Sequence, residues 1–179
     1  NFITETVARG GTVLFVSSKR QAKAVVEKHA VACAMPFVTA RWLGGTFTNF
    51  ASISRLVITL RDLEQKFAGG EMEKYTKKEQ LDFEREMQRL HGLVGGLKEM
   101  RKLPEAVFIV DIKKDKTAVA EANKKKIPIV ALVDSNVNPA VVEYAIPGND
   151  DAVKSIELIT GLVAQAVAEG KNKLEIGKK

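Results

Sequence analysis

Residues Arg41–Phe50 read RWLGGTFTNF, and the chain changes character across them. Before them, Pro36 to Val38 is a short apolar strand signal; after them, apolar residues recur at steps of three and four. The stretch therefore joins a sheet unit to a long helix. Arg41 and Trp42 emerge at the strand end, and Gly44 and Gly45 permit backbone angles that a Cβ forbids. Thr48 or Asn49 is a suitable N-cap for the helix that follows. Two readings of the stretch are open. In one it is a Gly-Gly hinge carrying a half-buried Trp. In the other, Arg41, Thr46 and Asn49 hold phosphates while the glycines admit a close backbone approach.

Working back from it, Thr12 to Val16, TVLFV, is a nearly continuous apolar run, as in a strand covered on both faces within a parallel sheet. Phe2, Ile3 and Val7 precede it on one helical face that stops at Gly10 and Gly11. After it, Ser17 and Ser18 are expected to cap a helix in which Ala22, Val25, Val26 and His29 recur at helical spacing. That helix start is either a plain cap with solvated charges or an anion site, where free amides and the helix dipole meet Lys19 and Arg20. It has neither the Gly-rich dinucleotide turn nor the phosphate-loop spacing.

Working forward, Ile53, Leu56, Leu60, Leu63 and Phe67 form a heptad seam. Gly69 and Gly70 end it, Thr76 and Glu79 make a capping box, and Phe83, Met87, Leu90, Val94 and Leu97 repeat the pattern. Residues 49–101 are thus expected to be an antiparallel coiled-coil hairpin inserted into a sheet domain of residues 1–48 and 102–170. Replacing that hairpin by a short Gly-Ser loop is expected to leave a folded core. Its flanking charges, Arg55 among them, read either as solvation and interhelical pairing or as a nucleic-acid surface.

The sheet pattern resumes at Ala106–Val110 and ends in Asp111. A helix over about 116–126 closes on Lys124, Lys125 and Lys126, where cations suit the dipole. Ile127–Val133, ending at Asp134, is a fourth strand and Tyr144–Ile146 a fifth. Gly148, Asn149, Asp150 and Asp151 turn the chain into a last helix over residues 152–169. A basic tail, 171–179, is expected to fray.

This alternation predicts an α/β fold: an open, mostly parallel sheet of Rossmann or flavodoxin type, flanked by helices and carrying the coiled-coil insertion. The carboxyl ends of such strands are the usual ligand edge, here presenting Ser17, Arg41, Asp111 and Asp134. The two aspartates read as a metal or acid-base pair, or as the commoner loop caps. His29 and His91 lie far apart, no serine sits in an elbow motif, and the single Cys33 excludes a multi-cysteine metal site. No catalytic residue, cofactor, metal or small-molecule substrate is expected. A nucleotide- or phosphosugar-dependent enzyme on the same sheet is the alternative, since fold alone does not fix function.

At 179 residues, 45% of them hydrophobic, the chain can bury a core, and its net charge of +6 favours an anionic partner, nucleic acid ahead of a membrane surface. No apolar run approaches the roughly 20 residues that span a bilayer, so a cytoplasmic protein is expected. The chain opens on Asn1 rather than Met, in what looks like the end of a helix, so further residues are expected upstream.

The chain resembles the bacterial form of the ribosomal protein S-two family of the small subunit. RWLGGTFTNF is similar to that family's most recognisable internal segment, and VSSKRQA, Val16 to Ala22, to its post-strand turn, with Ser17 and Ser18 where many relatives have Gly-Thr. Further signatures run from Pro104 through Val107, Phe108, Ile109, Asp111, Asp115, Val119 and Glu121 to Pro128, and over Ile146 to Thr160. The likeness covers nearly the whole chain, but the family's longer N-terminal region is absent. The resemblance implies a structural constituent of the bacterial ribosome's 30S subunit. Such a protein binds 16S ribosomal RNA and neighbouring ribosomal proteins and supports recruitment of ribosomal protein S-one in translation. Residues 1 to 48 hold Arg9, Lys19, Arg20, Lys23, Lys28 and Arg41 against only Glu5 and Glu27. The expected RNA contacts are Lys19, Arg20 and Arg41 first, then Trp42, Thr46, Asn49 and Arg55, with Trp42 either stacking on a base or packing.

Overall fold

The computed structural model describes residues 1–177. Helix α1 (Phe2–Ala8) leads into β1 (Val13–Val16), α2 (Arg20–Ala32) and β2 (Phe37–Val38). Helices α3 (Phe50–Ala68) and α4 (Lys77–Val94) follow, then β3 (Ala106–Ile109), α5 (Lys116–Lys125), β4 (Ile129–Val133), β5 (Tyr144–Pro147) and α6 (Val153–Ile176). The strands pair in the order β2-β1-β3-β4-β5, every pair parallel. This is the flavodoxin-type order, in which the chain runs one way from β1 and the other way from β3.

Every residue of β1, β3 and β4 is buried, which is why these strands read as unbroken apolar runs. Successive side chains point to opposite faces. Phe15, Phe108 and Leu132 meet Ile3 and Val7 of α1, Val26 of α2 and Ile156, Val163 and Val167 of α6. Leu14, Val16, Val107 and Ile109 on the other face share a core with Ala118 and Ala122 of α5 and with the α3–α4 pair.

Residues 49–101 contribute to that shared core. Ile53, Val57, Leu60 and Leu63 of α3 and Leu90 and Val94 of α4 are buried in one cluster with Leu14, Val16 and Val38, while Leu56, Phe83 and Met87 are only partly buried. The apolar stripe of the two helices, which pack on each other, belongs to the same cluster as that face of the sheet. Arg61 and Glu64 of α3 bond to Lys98, just past α4. Thr76 and Glu79 make the capping box the sequence predicts, the Thr76 N–H reaching Glu79 Oε2 at 2.9 Å.

Several ends differ from the sequence reading. Lys19, not Ser17 or Ser18, is the N-cap residue of α2 and its own side chain makes no cap bond, while Ser17 Oγ accepts the Lys19 N–H at 3.4 Å. Asn149, expected in the turn before α6, accepts the N–H groups of Asp151 and Ala152 at 2.8 and 2.9 Å. Helix α6 does not stop at Glu169 or fray at Gly170; it continues to Ile176, and Gly170 is buried against α1. A Cβ on Gly170 would lie 2.7 Å from the Thr4 carbonyl oxygen and from Val7 Cβ, so the glycine permits a close helix crossing. Lys171, from the expected tail, donates to the Cys33 carbonyl at 2.7 Å. Residues 178–179 of that tail lie outside the described residues. No helix among the described residues is long and apolar enough to cross a membrane.

Candidate nucleic-acid interface

The strand order reverses between β1 and β3, and in doubly wound sheets the crevice beyond that point takes the ligand. Here the chain's own side chains fill it. Lys19, buried to 7% exposure, places Nζ 3.1 Å from Asp111, 2.7 Å from Asp150 and 2.7 Å from Asp151. Burial alone would lower the lysine pKa, but the bonds to Asp150, Asp151 and Asp111 outweigh it and hold the ammonium above its ordinary value. Asp111 also accepts the N–H groups of Lys113 and Lys114 at 3.0 and 2.8 Å. Asp134 accepts the N–H of its neighbour Ser135 at 2.6 Å. The two strand-end aspartates thus serve as an ion-pair partner and a loop cap. Among the described residues no group of three or more His, Cys, Asp or Glu side chains could hold a metal ion. An incoming phosphate at this crevice would meet carboxylates.

The organising stretch has an internal anchor of its own. Glu121, projecting from α5, accepts the indole N–H of Trp42 at 3.1 Å and the Gly45 N–H at 2.7 Å on Oε1. Its Oε2 takes the N–H groups of Phe47 and Thr48 at 2.9 and 3.0 Å and the Thr48 hydroxyl at 3.1 Å. Burial pushes this carboxyl up, yet the N–H donors of Thr48, Gly45 and Phe47 and the Trp42 indole more than offset it, leaving the pKa below the usual glutamate value. The loop is therefore a backbone nest already occupied by an anion from within the molecule. Gly45, at φ 94°, makes that curl possible. Thr46 is buried and its hydroxyl donates to the Leu43 carbonyl at 2.6 Å. Trp42 is also buried, edge-on to Phe47 with ring centroids 4.9 Å apart.

Beside these two filled centres lies an open cleft of about 690 Å³. Ser18, Arg20 and Lys23 line one wall, Thr39, Arg41 and Gly44 a second, and Lys114 and Thr117 a third. Arg20, Lys23, Arg41 and Lys114 are all exposed, and none has a carboxylate within salt-bridge distance among the described residues. Asp115, at the foot of the cleft, is buried and accepts the Ser18 N–H at 2.9 Å. Its burial pushes the carboxyl pKa up, against the bonds from Ser18.

The structure thus gathers Arg20, Arg41 and Trp42 of the sequence-predicted residues at the cleft and adds Lys23 and Lys114. It turns Lys19, Thr46 and the indole N–H of Trp42 toward partners inside the protein. Asn49 and Arg55 are exposed at the start of α3, outside the cleft lining. Lys114 is the cleft cation that the sequence reading does not name, while Asp115 and Glu121 stand in the family signature without a role assigned to them. A second signal for Glu121 is that an acid neighbours Ala118 and Ala122 on the inward face of α5.

The protein is thus an α/β sheet whose switch-point crevice is closed by its own ion pairs, with a row of unpaired cations lining the cleft next to it. Comparison with known proteins shows its family. The family model described as ribosomal protein S2 matches residues 1–170, and the chain belongs to that family, whose members are structural rather than enzymatic. A small ribosomal subunit protein uS2 from Rhodococcus erythropolis (strain PR4 / NBRC 100887) is 49% identical over 169 residues, which are 94% of this chain and 59% of the relative. The chain thus spans about three fifths of that relative's length.

Proposed function

We propose that this protein is a structural constituent of the small ribosomal subunit that grips the 16S ribosomal RNA backbone in the cleft between the β1–α2 turn, the β2–α3 loop and the start of α5. The observation that carries the reading is the set of four unpaired cations, Arg20, Lys23, Arg41 and Lys114, facing one cleft. Cations of this kind position a protein on folded RNA without reading base sequence. Asn49 and Arg55 extend the same surface along α3, whereas Lys19, Trp42 and Thr46 shape it from beneath. Contact with neighbouring ribosomal proteins, S-one among them, and work in the bacterial cytoplasm belong to the same reading, supported by the family.

The test is a titration of the protein on 16S RNA at several salt concentrations. Each phosphate neutralised contributes a log-log slope of roughly −0.7 to −0.9, so four cations account for a magnitude of about 3 to 4. Arg41→Ala should flatten the slope by about one unit and leave the melting temperature nearly unchanged, because an exposed arginine without an ion pair is not part of the core. An Arg41→Ala protein with wild-type affinity and slope would remove the cleft from consideration.

A further inference from the structure

The four cations of the cleft come from three separate stretches of chain and repel one another, so something must hold its walls in register. Two acids on α5 do so. Asp115 ties the β1–α2 turn to α5 through the Ser18 N–H at 2.9 Å. Glu121 ties the whole β2–α3 loop to the same helix through five donors shared between its two oxygens. We propose that Glu121 is a positioning residue for RNA binding: it touches no RNA itself and fixes the loop that carries Arg41 at the cleft wall. This rests on the reading of the cleft as the RNA site.

Chemistry singles out the ionised carboxylate. Both oxygens of Glu121 accept, and every donor comes from residues 42–48. A glutamine offers one accepting oxygen and turns an NH₂ group toward the other set of donors, leaving buried N–H groups unpaired. The loop would then loosen next to Arg41, and a phosphate ligand displaced by about an ångström no longer makes its contact. Arg41 is the residue immediately before the first of these donors, Trp42. Lys114, on the far wall, lies in the turn just before α5, the helix that carries the anchor.

The experiment is a double-mutant cycle of Glu121→Gln and Arg41→Ala, read by salt titration on 16S RNA. Glu121→Gln is expected to weaken binding about tenfold at low salt and to flatten the slope by about one unit. Arg41→Ala added to it should flatten the slope no further. If Glu121 matters only for folding, Glu121→Gln will melt earlier while its slope, and the effect of Arg41→Ala on that slope, stay at wild-type values; that result overturns the proposal. Should Glu121→Gln fail to fold, Trp42→Phe, which deletes the indole donor, and Thr48→Val, which deletes the hydroxyl donor, carry the test. Each is expected to weaken binding about threefold and to shrink the effect of Arg41→Ala on the slope; wild-type behaviour in both overturns the proposal. A wild-type protein that binds without salt dependence overturns the cleft reading and this proposal together. A salt-dependent wild type with an unresponsive Glu121→Gln overturns this proposal alone.

Discussion

Lys19 shows how a residue read as a ligand from its neighbours in sequence becomes a structural centre when its neighbours in space are counted. Its charge is already matched by Asp111, Asp150 and the more exposed Asp151. Removing one partner of a buried ion pair costs about 3 to 5 kcal/mol because the other charge is left uncompensated. Asp151 is 67% exposed and can turn to water, so Lys19→Met belongs at the lower end, about 3 kcal/mol, or a melting temperature lower by about 6 to 12 °C. The salt slope of RNA binding should not change, which distinguishes this variant from Arg41→Ala; a slope flattened by a full unit would restore Lys19 as a phosphate ligand. The sign of the pH dependence follows from the raised lysine pKa. The ion pairs contribute fully below the ordinary value of 10.5 and are lost as pH rises beyond it through the folded value, so wild type and Lys19→Met should converge in stability at strongly alkaline pH.

Among the elements, those that depend on local pattern were legible and those that depend on distant partners were not. β1, β3 and β4 are legible because burial on both faces demands unbroken apolar runs, and Thr76 with Glu79 because a capping box lies within four residues. The partners of Lys19 are not, since Asp150 is 131 residues away, nor is the tie from Trp42 to Glu121 across 79 residues. Gly170 misleads for a related reason. A glycine near a helix end reads as a stop, yet here it is a contact point between α6 and α1. Two glycine-to-alanine changes should therefore act with opposite sign. Gly92 in α4 is exposed, with nothing within 4 Å of an added Cβ, so Gly92→Ala should stabilise by about 1 kcal/mol through helix propensity. Gly170→Ala has the same gain, but its Cβ would press on the Thr4 carbonyl, a backbone atom that cannot swing away, and overpacking costs about 1 to 3 kcal/mol. Thermal melts should place Gly170→Ala below wild type and Gly92→Ala above it. A stabilised Gly170→Ala would show that α1 and α6 separate easily.

For the molecule as a whole, the α3–α4 pair decides whether residues 49–101 are an ornament on the sheet or part of its cover. Six of their side chains, Ile53, Val57, Leu60, Leu63, Leu90 and Val94, are buried in the core that also holds Leu14, Val16 and Val38. Deleting the pair removes both its mutual burial and the entropy cost of ordering it, so the remaining domain loses only the apolar surface that the pair covers on the rest of the core. Loop closure is no obstacle to a long Gly-Ser replacement, since doubling a loop adds only about 0.6 kcal/mol. Replacing residues 49–101 by such a linker should lower the melting temperature and expose the covered apolar face to a hydrophobic dye. Point variants resolve the same question without deletion. Leu60 is fully buried, so Leu60→Ala should cost about 2 to 5 kcal/mol, while Leu81, 45% exposed on α4, should change stability by less than about 0.5 kcal/mol as Leu81→Ala. A deletion variant that melts at the wild-type temperature, together with a mild Leu60→Ala, would make the helix pair a separate insertion and leave α5 as the cover of that face. A lowered melting temperature would instead mean that the loop between β2 and α3, and with it Arg41, is held from both sides: by Glu121 on α5 and by a helix seated on the sheet.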